Sequence, residues 1–329
     1  MSEGWGLDAI DAALQARYPG GELVTFGAGV GELWQIRAYL HPATGTDPEH
    51  WHFVTLGLSE LSFKTSANRA RSGWGIELTA RVEAPDGERV LPRWPAPVLA
   101  KLAAYVYETG QILDDGHHTS FEGAVHDDVP LIRGLAYRRD PELGAIETPN
   151  GALMFLQMVG VTADEADLLP RWSVKKFLDV LAEQTPLLVM RPDRPSLLRD
   201  PVIGPMLEQR ATSEGSTQSL VFADTLTWDV SRWPRKKLRV SIGSADIARP
   251  NLRPLLAARI SRGESFRIVR DTRVMRMHPG EPAGWEATGD TLVLTVSPAL
   301  VAELDAFFAA DQPSLQSVSL PGFVLALVE

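Results

Sequence analysis

Apolar residues recur at helical spacing near the start of the chain. Leu7, Ile10, Leu14 and Tyr18 share one face, Asp8 is placed to cap it, and Pro19-Gly20 ends it. Strand-like runs follow at 22–26, 33–40, 52–58 and 75–82, and Pro85-Asp86-Gly87 reads as the turn after them. Val98, Leu99, Leu102, Tyr105 and Val106 line one face of a helix that starts near Pro97 and is stopped by Gly110. Residues 153–159 form an apolar run broken only by Gln157, which predicts a buried strand. Thr162 and Glu165 form a capping box, and Ser173 caps a further helix carrying Phe177, Leu178 and Leu181.

Four prolines, with Ser213, Gly215 and Ser216, weaken the pattern over 191–219 and suggest a crossing segment. Strands are then predicted at 238–242, 255–260, 266–269 and 291–296. Ser297 and Pro298 open a strong helix whose Leu300, Val301, Leu304, Phe307 and Phe308 share a face, and 317–328 reads as a closing strand or strand pair. Helices and strands mix without a regular βαβ rhythm. The expected fold is therefore α+β in two domains, each a mixed β-sheet flanked by helices. The boundaries are 1–200 for the first domain, 201–230 for a crossing segment and 231–329 for a smaller second domain.

The chain of 329 residues holds 32 Lys and Arg against 42 Asp and Glu, a formal net of −10. Residues 231–276 break this balance, with 13 basic side chains against Asp246, Glu264 and Asp271. These basic residues alternate with apolar ones, as in Lys237-Leu238-Arg239-Val240, which is how the wet face of a strand looks. The acidic remainder disfavours nucleic acid and leaves an acidic protein partner as the alternative use of the segment. Cysteine is absent, which removes disulfides, Cys–zinc sites and thiol nucleophiles. No apolar run has the length of a membrane span, and the N-terminal residues lack a secretory pattern, so a cytoplasmic protein is expected.

Few residues carry obvious chemistry. Gly27-Ala28-Gly29-Val30-Gly31 follows a strand, but its third glycine falls one residue early for a dinucleotide loop and a strand follows it, so a hairpin is expected. His50 and His52 would share a strand face, with one buried and one exposed, and no third metal ligand is evident. Asp114-Asp115-Gly116-His117-His118, with Glu122 beyond it, is the densest polar cluster. It can serve as a metal-dependent hydrolase site, a polar turn or a binding loop. No nucleophile-elbow, P-loop, zincin or kinase motif occurs.

A run of motifs then narrows the choice. Residues 49–61, Glu-His-Trp-His-Phe-Val-Thr-Leu-Gly-Leu-Ser-Glu-Leu, and 72–79, Ser-Gly-Trp-Gly-Ile-Glu-Leu-Thr, resemble signatures of the Suppressor of fused family. Trp94-Pro95, the stretch 102–107, Gly116-His117-His118, Glu147-Thr148-Pro149-Asn150-Gly151 and the stretch 155–161 continue in the same order. The likeness extends more faintly to both ends. The compact second half resembles bacterial members, since the long acidic insert of the animal proteins is missing.

The resemblance implies a protein without catalytic residues or cofactor. Animal members bind and restrain Gli-type zinc-finger transcription factors, holding an extended peptide between two domains by strand addition. Bacterial relatives are inferred to be immunity proteins of polymorphic toxin systems. The implied contacts here are Tyr105, His117, His118 and Glu122. Tyr105 also fits plain core packing. His117 stands where the animal proteins carry an aspartate, and Glu122 where they carry a histidine, which implies a different ligand. Trp51, Gly73, Trp74 and Gly75 are read as fold-specifying. The expected partner is a protein or peptide, such as a basic toxin domain steered by the acidic surface, bound by a monomer in the interdomain cleft.

Overall fold

A computed structural model describes all residues except 1–4, 31–32, 85–88, 232–235, 244, 311 and 329. The turn expected at Pro85-Asp86-Gly87 and Gly31 of the glycine run lie outside the described residues. The chain divides into two compact units, 1–166 with 174–199, and 167–173 with 200–329.

The first unit begins with α1 (Gly6–Arg17), β1 (Leu23–Val30), β2 (Leu33–His41), β3 (His50–Leu56), β4 (Arg71–Glu83) and α2 (Pro95–Thr109). It continues with β5 (His118–Ser120), β6 (Gly134–Arg139), β7 (Ala145–Thr148), β8 (Gly151–Val161), the start of α3 (Ala163–Leu168) and α4 (Val174–Gln184). Its eight strands form one sheet in the order β1-β2-β3-β4-β8-β6-β5, with β7 beside β8. The β4–β8 pair is parallel and the other pairs are antiparallel, so the sheet is mixed. The glycine run lies at the end of an antiparallel β1–β2 hairpin, as expected.

Strand periodicity gives each sheet face its own helix. Trp51, Phe53, Leu78, Ala80, Leu156 and Met158 point to the face covered by α2, where they bury Val98, Leu99, Leu102 and Val106. Burial of such a side chain stabilises the fold by about 1.5–3 kcal/mol. Pro95 opens α2, and Gly110, in the left-handed region, closes it with an N–H to Val106 O of 2.9 Å. The opposite face buries Ile10 and Leu14 of α1, and Tyr18 just after it, against Val54, Leu56, Leu153 and Phe155. Asp8 does not cap α1: the cap position is Trp5, and the Asp8 carboxylate accepts the Trp5 N–H at 3.1 Å from inside the first turn. Gly73 sits at φ +54°, where a β-carbon would come within 2.8 Å of Leu58 O, so the tight approach read from this motif holds.

The second unit contains α5 (Ile203–Glu214), β9 (Leu220–Phe222), β10 (Leu226–Ser231), β11 (Lys237–Gly243), α6 (Ala245–Ala258), β12 (Phe266–Arg270) and β13 (Arg273–Pro279). It ends with β14 (Gly284–Thr288), β15 (Thr291–Val296), α7 (Pro298–Ala309), β16 (Ser314–Gln316) and β17 (Phe323–Val328). The strands form two mixed sheets, β10-β11-β17-β16 and β14-β15-β13-β12-β9. Leu252, Leu255 and Leu256 of α6 and Leu300, Leu304 and Phe307 of α7 share one core with both sheets.

The fold is α+β with mixed sheets, in agreement with the sequence reading. Two expectations about elements fail. Residues 255–260 are the end of α6 and a short turn, not a strand. Leu252, Leu255, Leu256 and Ile260 are spaced for one helical face, but Pro250 and Pro254 inside the helix masked that period. The proline-rich stretch 191–219 holds a regular helix, α5. The basic residues Arg239, Arg267 and Arg276 lie on exposed strand positions between buried Leu238, Val240, Phe266, Ile268, Met275 and Met277, as their alternation indicated.

Candidate functional site

Strand β5 is three residues long and pairs with β6 alone, so it forms one end of the first sheet. The chain enters it through a tight turn. His117 N–H donates to Asp114 O at 3.0 Å, and Gly116 N–H donates to Tyr137 O at 2.9 Å. Gly116 takes φ +92°, a conformation that favours glycine. On the β6 side, Tyr137 N–H donates to His117 O at 2.9 Å and Phe121 N–H to Arg133 O at 3.0 Å. The alternation of an antiparallel ladder then turns the backbone groups of His118 and Ser120 outward. Among the described residues no strand meets them.

The side chains around this edge combine neutral rings with carboxylates. The His118 imidazole has a shielded Nε2 without a hydrogen-bond partner among the described residues. Burial, with a smaller effect of His117, pushes its pKa down to about 4, so it is neutral at pH 7. His117 is also lowered, chiefly by burial and against the pull of Asp114 and Asp115. Asp115 is paired with Lys175 at 2.8 Å, whereas Asp114, Glu122, Asp127 and Asp128 are exposed. The stretch 114–128 holds five carboxylates and no Lys or Arg.

Tyr105 lies on α2, half-buried against the core, with its phenol bonded to Gln111 Oε1. Burial raises the pKa of the adjacent Tyr137, and Tyr105 adds to the shift. Tyr137 Oη lies 3.3 Å from Thr119 Oγ1 on β5. Of the four residues singled out from the sequence, His117 and His118 are consecutive at the sheet edge and Glu122 follows just beyond it. Tyr105 reaches the same strand through Tyr137 and Thr119.

A second concentration of polar chemistry lies on the face that α1 covers. Arg81 Nη1 and Nη2 donate to Asp140 at 2.7 and 2.9 Å, Nη2 donates to Glu142 at 3.0 Å, and Nη1 also bonds Gln157. Asp140 is held at the break between β6 and β7, where its N–H donates to Phe155 O. Its carboxylate also accepts from Thr79 Oγ1 and from the N–H groups of Glu142 and Leu143. His52 Nε2 lies 3.1 Å from Asp140, and its Nδ1 meets the Tyr18 hydroxyl. Burial and the Arg81 charge push His52 down to about 4. His52 and Arg81 hold Asp140 well below the usual carboxylate range despite burial. The consistent proton arrangement has Tyr18 O–H donating to Nδ1 and the Nε2 proton facing Asp140.

His50 is fully buried too, stacked on His41 with ring centroids 4.7 Å apart, and burial brings its pKa to about 3. The expectation of one buried and one exposed histidine in this pair is therefore wrong, because Tyr18 closes over His52 and His41 over His50. A neighbouring network centres on buried Glu77, which accepts from Thr55 Oγ1, Ser59 Oγ and the N–H groups of Gly57 and Ser59 at 2.6–3.0 Å. Arg81, Asp140 and Gln157 were missed from the sequence. Their only signal there is a polar residue inside an apolar strand run, at Arg81 and Gln157. Asp140 pairs across a sequence separation that no local pattern reveals.

Among the described residues no three His, Asp or Glu side chains converge as a metal site, so the Asp114–His118 cluster does not supply the ligand set of a metal-dependent hydrolase. No helix is long and apolar enough to cross a membrane among the described residues.

Fold and site together define a protein of two α+β units whose first, mixed sheet ends in an open strand beside neutral histidines and carboxylates. Residues 33–195 match the family model described as Suppressor of fused protein (SUFU), so this region of the chain is similar to that family. It is 30% identical over 198 residues to the human Suppressor of fused homolog and, equally, to that of Mus musculus. The human match covers 57% of this chain and 41% of the relative, so the chain spans under half the length of these curated relatives. The crystal structure of Drosophila Suppressor of Fused shares the fold across both units, with a TM-score of 0.72 at 21% identity, covering 98% of this chain and 96% of that one. A chain of the Sufu–Fu complex crystal structure matches with a TM-score of 0.55 at 27% identity, over 63% of this chain and 97% of that one.

Proposed function

We propose that this chain is a non-catalytic module that binds another polypeptide by strand addition, with β5 as the template and Tyr105, His117, His118 and Glu122 as contacts. The observation that carries this reading is the open outer edge of β5, whose backbone groups at His118 and Ser120 face away from the sheet. The five carboxylates of 114–128 favour a basic segment over an acidic one. The likeness to a chain solved within a Sufu–Fu complex supports a protein as the ligand class.

The finer reading is an immunity protein of the cytoplasm that captures a basic toxin domain at this edge. An acidic inhibitor gains on-rate from steering, which suits the rapid neutralisation of a toxin. The test is affinity purification of the full chain from its native cells at low and moderate salt, with mass spectrometry of what travels with it. Wild type retains a basic polypeptide. Ser120→Pro, which removes an outward N–H without touching the β6 ladder, loses it while keeping its circular dichroism and melting temperature. Recovery of wild type alone at both salts overturns the proposal.

A further inference from the structure

The first sheet has a second open end, β1, and its chemistry is the opposite of that at β5. From Leu23 to Val30 the strand contains no charge and no proline, two of the devices by which natural edge strands avoid pairing. It is bound to β2 on one side only. Leu40 N–H donates to Glu22 O, and the register pairs Val24 with Ala38 and Phe26 with Ile36. That phase sends the backbone groups of Leu23, Thr25 and Gly27 outward. Among the described residues no group bonds them. Leu23 is 48% exposed, Thr25 is exposed, and the space around Gly27 is open to a β-carbon.

We propose that β1 is a self-association edge, at which a second copy of this chain adds antiparallel to join two sheets into one. The strand complements itself when the twofold axis passes through Thr25. Thr25 then faces its own copy, Leu23 faces Gly27, and all three outward positions fall in hydrogen-bonded pairs. On the face covered by α2, Val24 stands beside Phe26 of the copy, twice, and both already pack against the core. Cross-strand pairs of this type stabilise a sheet.

The same register keeps like charges apart. Glu22 meets position 28 of the copy, so the two Glu22 residues stand six positions apart, roughly 20 Å at the rise of a strand. That exceeds the screening length of about 10 Å at 0.1 M salt. The register thus holds the two Glu22 carboxylates apart as two chains of net charge −10 approach. β5 cannot serve the same purpose, because 114–128 would set five carboxylates against five. The irregularity between Gly27 and Val30 confines the pairing to the first half of the strand.

Sedimentation equilibrium of the full chain over a wide concentration range tests this. Wild type shows a concentration-dependent dimer that strengthens as salt rises, since screening relieves the net repulsion. Thr25→Pro removes an outward N–H, and Thr25→Lys sets two cations against each other at the axis; each weakens the dimer by about tenfold or more. Ser120→Pro, at the other edge, dimerises like wild type. Hydrogen exchange supplies a readout on unmodified protein: the amides of Leu23, Thr25 and Gly27 are protected in concentrated and not in dilute solution. A wild type that stays at the monomer mass throughout overturns the proposal. So does a dimer that is lost in Ser120→Pro and kept in Thr25→Pro, or one whose β1 amides exchange equally at both concentrations.

Discussion

Replacing Arg81 by Met tests the claim that the buried ion network holds the first unit together. Arg81 and Asp140 are both fully shielded from water, and four of the contacts around the guanidinium reach Asp140, Glu142 and Gln157. Methionine fills most of the volume but leaves the Asp140 carboxylate without its cation. Thr79, His52 and two backbone N–H groups remain, and they compensate only part of the charge. Removing one partner of such a pair costs about 3–5 kcal/mol. That is a large share of the roughly 5–15 kcal/mol that separates a folded domain from its unfolded chain. For a unit of this size it corresponds to a fall in melting temperature of roughly 6–20 °C, at about 2–4 °C per kcal/mol. Arg81→Lys keeps the charge but loses the planar fork, and falls between the two. Urea denaturation followed by tryptophan fluorescence gives the numbers. The double variant Arg81→Met/Asp140→Asn should recover much of the loss, because no buried charge is then left alone. If Arg81→Met costs under about 1 kcal/mol, or the two substitutions add without coupling, the network is not what stabilises this unit.

Other outcomes follow from the same geometry. The folded pKa values of His50, His52 and His118, near 3, 4 and 4, lie below that of an unfolded histidine, so the unfolded chain binds more protons below pH 6.5. Stability is complete above that pH and falls as pH drops toward 4, at a cost of the order of 3 kcal/mol for each such histidine. The lowered pKa of Asp140 extends the loss further into acid. A denaturation midpoint that stays flat from pH 7 to pH 4 contradicts this. Gly73→Ala places a β-carbon at φ +54° against Leu58 O and should cost at least about 1–3 kcal/mol by the same urea assay, whereas Gly27→Ala, facing open space, should cost far less.

Local periodicity carried most of the elements. The α1 stripe, the apolar strand runs, α4 and the capped α7 were legible because each depends on residues within a few positions of one another, which is the range over which helix and strand periods repeat. The family motifs were legible too, since they gather around the turn at 57–60 and the start of β4 at 73–75, where Gly57, Gly73 and Gly75 take positive φ. The polar cluster at 114–118 was visible as composition, and the structure places it at a sheet edge.

Sequence by itself determined the apolar strand runs and helix stripes, the α+β class and the acidic balance, because these are properties of neighbouring residues and of sums. Tertiary structure decided which strands lie at the ends of the sheet, that His50 is buried with His52, and that Arg81 finds Asp140 far along the chain. These outcomes depend on strand order and on which helix covers which face. Strand order is set by the packing of the whole unit, and the hydrogen bonds it completes join residues that no local pattern brings together.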